Sequence, residues 1–459
     1  MRTLRLAPLL LRGRIRAGRG LIDLMSVAAF TLSGWLLLVV AAGVNAFYHR
    51  QLVPPQPFVA ALGAGAADGV SQLAFWTILA VCAGVLLIVP VLTLGAAAAR
   101  MGALGRDRRL AGLRLLGASG SQVVALSAIE TMLAALIGAV LGTLGYLVTL
   151  PLWQGVTFQA TPLGVGEMLL PAPIIAGVAG LLVVLAAISS LSGLARLRIS
   201  PLGVARRQPR RALKVWRFLA LPAAVVVWLV VAPMLQIARE LALSATIIAV
   251  AMGIFMGVIN LIGPWLLQLF GVILTRFGRP SVLLAGRRLL AEPRAAWRSV
   301  SGLAFVGFTG GALVSLPDFA ATDPDPLVGI LAADLRTGTY LTLAIAFLVA
   351  AASTLLNQAS AVLDRRSELR QLANVGVPVR LHDRTRLVEV VTPAALSALG
   401  SGGLAVFFFA LVPKVGSQQL GVLPFAAALL AGIALVWAAG EACRPLVRTA
   451  VTGVGPRID

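Results

Sequence analysis

The chain has 459 residues, of which 59% are hydrophobic and only 12% charged, and its formal net charge is +21. A soluble globular domain has roughly 45–50% apolar and about 25% charged residues, so this composition excludes an ordinary soluble fold and indicates an integral membrane protein. The positive charge does not indicate a nucleic-acid partner, because the basic residues cluster in short segments between long apolar runs.

Ten apolar runs are long enough to cross a membrane, which takes about 20 apolar residues in a helix. The predicted spans cover residues 21–45, 70–98, 120–150, 171–195, 217–236, 241–274, 299–317, 338–362, 387–412 and 420–441. With the N-terminus inside, 34 of the 38 Lys and Arg residues fall in cytoplasmic segments. The sequence therefore predicts an all-α, multi-pass protein of a bacterial-type cell membrane with both termini in the cytoplasm.

Two basic amphipathic segments, which we call the first elbow (residues 105–120) and the second elbow (residues 364–380), resemble each other. Each has leucines at helical spacing and then a glycine suited to a tight turn. Identical residues recur 259 positions apart: Arg106 and Arg365, Leu110 and Leu369, Leu113 and Leu372, Gly117 and Gly376, Glu130 and Glu389. The spacing predicts two copies of one structural unit.

The repeat divides the chain into three parts. Residues 1–205 form a first half with spans one to four, and residues 281–459 form a second half with spans seven to ten. Residues 206–280 form an inserted helix pair. Both elbows fall on the cytoplasmic side, so the two four-helix repeats are predicted to be parallel, unlike the inverted repeats of many secondary transporters.

The second elbow resembles a known family signature. Its residues Arg365, Glu368, Leu369, Leu372 and Gly376 fit the pattern R-x-x-E-[IL]-x-x-L-x-x-x-G of FtsX-like ABC transporter permeases. This type VII group includes macrolide-exporter and bacitracin-resistance permeases. The chain departs from it in two ways: Arg109 replaces the glutamate in the first elbow, and no large extracytoplasmic domain is present between spans seven and eight.

The resemblance implies the membrane subunit of an ABC transporter that exports or extracts an amphiphilic substrate. Two copies of a separate ATP-binding subunit, holding ATP and Mg, would dock on the elbows as on coupling helices. The residues implied in this coupling are Arg106, Arg109, Leu110, Leu113, Gly117, Arg365, Arg366, Glu368, Leu369, Leu372 and Gly376. The chain itself is not expected to be an enzyme, since neither Lys214 nor Lys414 is followed by the Ser or Thr of a P-loop.

Three alternatives remain open at this point. An elbow could rest on the membrane surface with its arginines on anionic lipid headgroups. The chain could be a secondary transporter that works without an ATPase. It could also be a signalling subunit in which the ATPase cycle drives a partner protein rather than transport.

Two acidic residues, Glu130 and Glu389, lie at the predicted cytoplasmic ends of spans three and nine. A carboxylate near hydrocarbon needs a partner, and a helix N-terminus favours its negative charge. We expect each to form an interfacial ion pair with elbow arginines. A proton relay is the alternative, although no further acidic residues continue a path inward.

Small residues also recur at matching positions, as Gly138 and Gly142 in span three and Ser397 and Ser401 in span nine. Small residues four apart let helix backbones approach closely, which predicts that the two halves pack against each other here. Four aspartates between residues 318 and 337 are interpreted as a solvated acidic loop rather than a cation site. The cysteines and histidines are too scattered to predict a metal site.

Overall fold

The computed structural model shows a predominantly α-helical chain with one very short hairpin. It describes residues 20–104, 119–195, 219, 222–223, 225–227, 229–230, 241–314, 325–364, 366–410 and 422–445. The helices of this part are α1 (Gly20–Leu52), α2 (Gln56–Leu62), α3 (Ala66–Ser71), α4 (Leu73–Leu104), α5 (Gly120–Thr149), α6 (Val165–Met168), α7 (Ala172–Ala195), α8 (Leu241–Leu274), α9 (Pro280–Ala291), α10 (Pro293–Val314), α11 (Pro326–Asp364), α12 (Arg366–Asn374), α13 (Val379–Ala410) and α14 (Val422–Ala442). Strands β1 (Thr157–Phe158) and β2 (Thr161–Pro162) form an antiparallel pair.

Seven segments of the described helices are long and apolar enough to cross a membrane. They are Leu24–Leu52, Gln122–Gly155, Ala172–Leu191, Gly257–Leu274, Pro326–Val362, Arg380–Phe407 and Phe425–Ala442. The predicted spans 70–98 and 299–317 fall on α4 and α10, which have 32 and 22 residues but are not among the seven. Span 217–236 lies mostly outside the described residues. A multi-pass helical protein is thus confirmed, while the count of ten stays a prediction.

A local sequence signal explains where α5 begins. Ser119 precedes α5, and its hydroxyl oxygen accepts a hydrogen bond from the Gln122 amide at 3.3 Å. The Gln122 side chain accepts one in return from the Ser119 amide at 3.0 Å. This reciprocal capping satisfies two of the amides that a helix start leaves without partners, so α5 begins directly after the first elbow.

The long helices pack in the same pattern in both halves of the chain. In the first half α1 packs against α4 and α5, and α7 packs against the same two helices. In the second half α10 packs against α11 and α13, and α14 packs against those two. One apolar cluster is centred on residues such as Phe30 and Leu182 of the first group and another on Phe308 and Phe425 of the second, and each cluster also includes residues from the other half.

Helix α8 and helix α9 form a close hairpin beside the second half. A side-chain carbon on Gly286 would lie 2.9 Å from the Gly271 carbonyl oxygen, so only a residue without a side chain fits this approach. Helix α8 also contacts α10, α4 and, less extensively, α13. Helix α9, at the start of the second half, packs against both α8 and α13.

Candidate functional site: the seam between helices α4 and α11

The helices that lead into the two elbows pack against each other along a seam. Val91 and Leu94 of α4 and Val349, Leu356 and Ala359 of α11 are buried in one apolar cluster. Helix α4 continues to Leu104 and helix α11 to Asp364, where the elbows begin. Both helices are long, and they share a close-packed surface over part of their length.

The second elbow is a short helix that ends in a tight turn. After α12, the backbone of Gly376 takes a φ of 90°, a conformation that favours glycine. The Val377 amide donates to the Leu372 carbonyl oxygen at 3.0 Å, and the Gly376 amide donates to that of Ala373 at 2.9 Å. These two bonds form the Schellman motif that closes many helices. The turn predicted at Gly376 is confirmed, and it reverses the chain into α13.

The apolar residues of the second elbow do not all face outward. Leu369 is only 6% exposed, so it is turned into the chain itself. Little of its surface is open to a partner, and its role in coupling stays a prediction. Leu372 is half-buried and Val375 is 83% exposed, and together they form the apolar surface that the elbow presents.

The other predicted coupling residues cannot be placed. Arg365 and the side chains of Arg366 and Glu368 lie outside the described residues. The same is true of the whole first-elbow set, which comprises Arg106, Arg109, Leu110, Leu113 and Gly117. Only the second elbow therefore contributes geometry to the site.

The small residues predicted to join the two halves instead pack within each half. A side-chain carbon on Gly142 would lie 2.7 Å from the Thr31 oxygen of α1, and one on Gly138 would lie 2.4 Å from the Phe30 Cβ. Ser401 lies against α10, where a side-chain carbon on Gly307 would be 2.5 Å from its Oγ. The prediction that these residues join the halves is wrong, because α5 approaches α1 and α13 approaches α10, each within its own half.

Ser397 and Ser401 are both buried, and they share one local bond. The Ser401 hydroxyl donates to the Ser397 carbonyl oxygen at 2.6 Å within α13. This bond satisfies the hydroxyl inside the helix, so Ser401 needs no polar partner on α10. The pair therefore acts as a small-residue surface, as Gly138 and Gly142 do.

Glu389 has a partner other than the one predicted. Its Oε2 lies 3.2 Å from an Nη of Arg288, with the side chains 20% and 17% exposed respectively. Arg288 belongs to α9 and not to an elbow, and a pairing of Glu389 with elbow arginines stays a prediction. The pair joins α9 to α13 near the elbow end of the helices. Glu130 is buried on α5, with 6% of its surface exposed.

The start of α13 is tied to the end of α14 by contacts that the sequence did not reveal. Buried Arg386 donates to the Gly440 carbonyl oxygen. The Arg444 Nε lies 3.2 Å from Oδ2 of Asp383, which is itself buried. These contacts fix the last described helix to the segment that follows the second elbow.

At the opposite end of the seam, a fully buried arginine holds the hairpin in place. The Arg50 guanidinium donates to the Phe158 and Pro162 carbonyl oxygens at 2.7 and 2.6 Å. It also forms an ion pair with Glu167 at 2.8 Å. A buried charge requires such complete pairing, so the hairpin is fixed on the end of α1.

A second buried charge, Asp334, connects α11 to the first half of the chain. Its Oδ2 accepts a hydrogen bond from the Trp76 indole at 2.8 Å and another from the Gln159 backbone amide at 2.9 Å. We call these three residues the clasp. The interpretation of this region as a solvated loop is wrong for Asp334, because α11 begins at Pro326 and carries the residue into the protein.

The clasp lies beside a shallow cavity of about 370 Å³ lined by residues of the hairpin and of α11. The hairpin turns through Gln159 and Ala160, whose φ values are 55° and 54°. Two consecutive left-handed residues match the turn that joins tightly paired strands, although neither is the usual glycine or asparagine. The clasp supports this strained turn by accepting the Gln159 amide.

The seam, closed at one end by the clasp and continued at the other into the elbows, is suited to transmitting movement. No protein-family model matches the chain, and a search of curated proteins gives no match either. The geometry and the sequence pattern are therefore what support a function.

Proposed function

We propose that this chain is the membrane subunit of an ABC transporter of the FtsX-like type. The observation that carries the proposal is the seam: the two helices that enter the elbows pack directly against each other. Force applied to the elbows by a separate ATP-binding subunit would reach both halves of the chain through this contact. The resemblance of the second elbow to the family signature supports the same function.

The packing pattern supports a parallel repeat with an inserted helix pair. Four helices in each half make equivalent contacts. An added side-chain carbon on Gly34 of α1 would be in van der Waals contact with Ala139 at 3.7 Å, and one on Gly307 of α10 would clash with the Ala398 carbonyl oxygen. Ala139 and Ala398 are 259 positions apart, the same interval that relates the elbows.

In the proposed mechanism, two ATP-binding subunits dock at residues 105–120 and 364–380. ATP and Mg bind on those subunits, and closure of their dimer moves the elbows. Helices α4 and α11 then shift with α5 and α13, which follow the elbows in sequence. The movement would export an amphiphilic molecule or extract it from the membrane.

The docking contact on the second elbow would be formed by Leu372 and Val375. A hydrophobic groove is the usual receptor for an apolar helix surface of this size. Substituting Leu372 by Asp would place a charge in an apolar contact, at a cost of several kcal/mol. A loss of about 3 kcal/mol weakens binding roughly a hundredfold.

The test is co-purification of the ATPase with Leu372→Asp and Val375→Asp, compared with Gln371→Asp as the matched control. Gln371 is exposed on the same helix but is already polar. The proposal expects the first two variants to lose the ATPase and the control to keep it, with normal membrane insertion in all three. Leu113→Asp should act in the same way at the first elbow. Retention of the ATPase at the wild-type ratio in both Leu372→Asp and Val375→Asp would refute coupling through this surface.

A further inference from the structure

An apolar groove of about 390 Å³ lies between α8 and α13. Phe270 lines it from α8, and Val391, Leu396, Leu399 and Gly400 are among the residues that line it from α13. Both walls belong to segments apolar enough to cross a membrane, Gly257–Leu274 and Arg380–Phe407. The groove is therefore at the depth of the lipid chains and not in water.

The length of the groove matches one leaflet of a bilayer. Val391 and Gly400 are nine positions apart on α13, and at 1.5 Å per residue the groove extends about 14 Å along the helix. The hydrocarbon core of a bilayer is about 30 Å thick, so half of it is about 15 Å. An acyl chain from one leaflet would fill the groove along its whole length.

Charged residues mark one end of the groove. Glu389, two residues before Val391, forms its ion pair with Arg288 of α9 at 3.2 Å. Phe270 is only four residues from the end of α8 at Leu274. The turn between α8 and α9 and helix α9 itself therefore lie at this end.

The surface at this end of the groove is basic. Arg276, Arg279 and Arg287 are exposed on the turn and on the outer side of α9. The opposite side of α9 is buried through Ala285, Gly286 and Leu289, so its orientation is fixed. The nearby acidic residues are Glu389, which is paired with Arg288, and exposed Glu292. Positive charge is thus in excess where the headgroup of a lipid in the groove would lie.

We propose that the groove and this basic surface form a binding site for one anionic phospholipid. An acyl chain occupies the groove between α8 and α13, and the phosphate is bound by Arg279 and Arg287. The lipid comes from the leaflet that adjoins the turn between α8 and α9. This site goes beyond the proposed transport function and requires no ATPase, so either proposal can fail without the other.

The test is native mass spectrometry of the purified chain titrated with phosphatidylglycerol or phosphatidylcholine. Basic residues at a membrane surface each contribute about 1 kcal/mol to anionic lipid binding, so we expect the wild type to prefer phosphatidylglycerol roughly tenfold or more. Gly400→Leu fills the groove and should remove most of the binding of both lipids. Gly403→Leu is the matched control, because Gly403 is exposed on the same helix, has open space around it and lies outside the groove.

A second pair of variants tests the headgroup contact without altering the groove. Arg279→Gln combined with Arg287→Gln should abolish the preference for phosphatidylglycerol and leave phosphatidylcholine binding unchanged. Arg336→Gln removes an exposed arginine of α11 and should change neither. Equal binding of the two lipids by the wild type, or the same loss in Gly403→Leu as in Gly400→Leu, would overturn the proposal.

Discussion

The clasp allows the link between the two halves to be tested by a stability measurement. Asp334 is 6% exposed and its Oδ2 accepts two buried donors, from Trp76 and Gln159. Asp334→Ala leaves both donors without an acceptor, at about 1–3 kcal/mol each, and removes a carboxylate that was itself costly to bury. We expect a net loss of about 2–4 kcal/mol in unfolding free energy. Asp334→Asn retains an oxygen that can accept both bonds, so it should lose less than half as much.

The assay is thermal and denaturant unfolding in detergent, followed by tryptophan fluorescence, in a double-mutant cycle of Asp334→Ala with Trp76→Phe. The hydrogen bond between these residues predicts that their effects overlap by about 1 kcal/mol or more. Asp68→Ala provides the control, since Asp68 is exposed near the same end of the molecule. Effects of the two substitutions that add within about 0.5 kcal/mol, or a loss no larger than that of Asp68→Ala, would refute the clasp as a link between the halves.

Three further predictions concern packing, reactivity and topology. Gly142→Ala places a carbon 2.7 Å from a backbone oxygen of α1 and should destabilise the protein by about 1–3 kcal/mol. Gly180→Ala on α7 is the control, because the added carbon meets no atom within 4 Å and should not destabilise the protein. The melting temperatures of the two variants in detergent test this difference. Burial raises the pKa of the Cys443 thiol to about 11, although the positive charge of Arg386 acts to lower it. At pH 7 this thiol should therefore stay protonated and react with maleimide only after denaturation, which peptide mass spectrometry would show. In a background without the native cysteines, single cysteines introduced at positions in 318–337 should react with an impermeant reagent from outside the cell. Single cysteines in 364–386 should react only after permeabilisation. Labelling of the second elbow from outside would contradict the predicted orientation.

Features that depend on local sequence could be predicted well. Hydropathy indicated the membrane-spanning helices, because a span requires a continuous apolar run that any window of residues reveals. The turn at Gly376 followed from the conformational freedom of glycine and is closed by bonds between near neighbours. The leucine spacing of the second elbow predicted a helix, and residues 366–374 form one.

Features that depend on distant partners could not be predicted. Asp334 is 258 residues from Trp76 and 175 from Gln159, and no local pattern distinguishes it from a solvated aspartate. The hairpin lacks the glycine or asparagine that usually signals such a turn, because Arg50 and Asp334 hold it from outside. Glu389 was correctly expected in an ion pair, but helix α9 was not recognised as the element that brings Arg288 to it.

The small residues show how a correct motif can lead to a wrong partner. Gly138 and Gly142 do mark a close helix approach, as four-residue spacing predicts. The motif does not specify which helix approaches, and here it is α1 of the same half. Contact between the halves is formed instead by larger apolar residues of α4 and α11, whose pattern resembles any other buried helix surface.

Purification of the full chain from its native membrane, followed by native mass spectrometry of what remains bound, tests the coupling proposal most directly. We expect one copy of this chain with two P-loop ATPase subunits, and the loss of those subunits from Leu372→Asp while Gln371→Asp retains them. A chain that purifies without any ATPase, and whose transport in sealed vesicles proceeds without ATP, would contradict the proposed function.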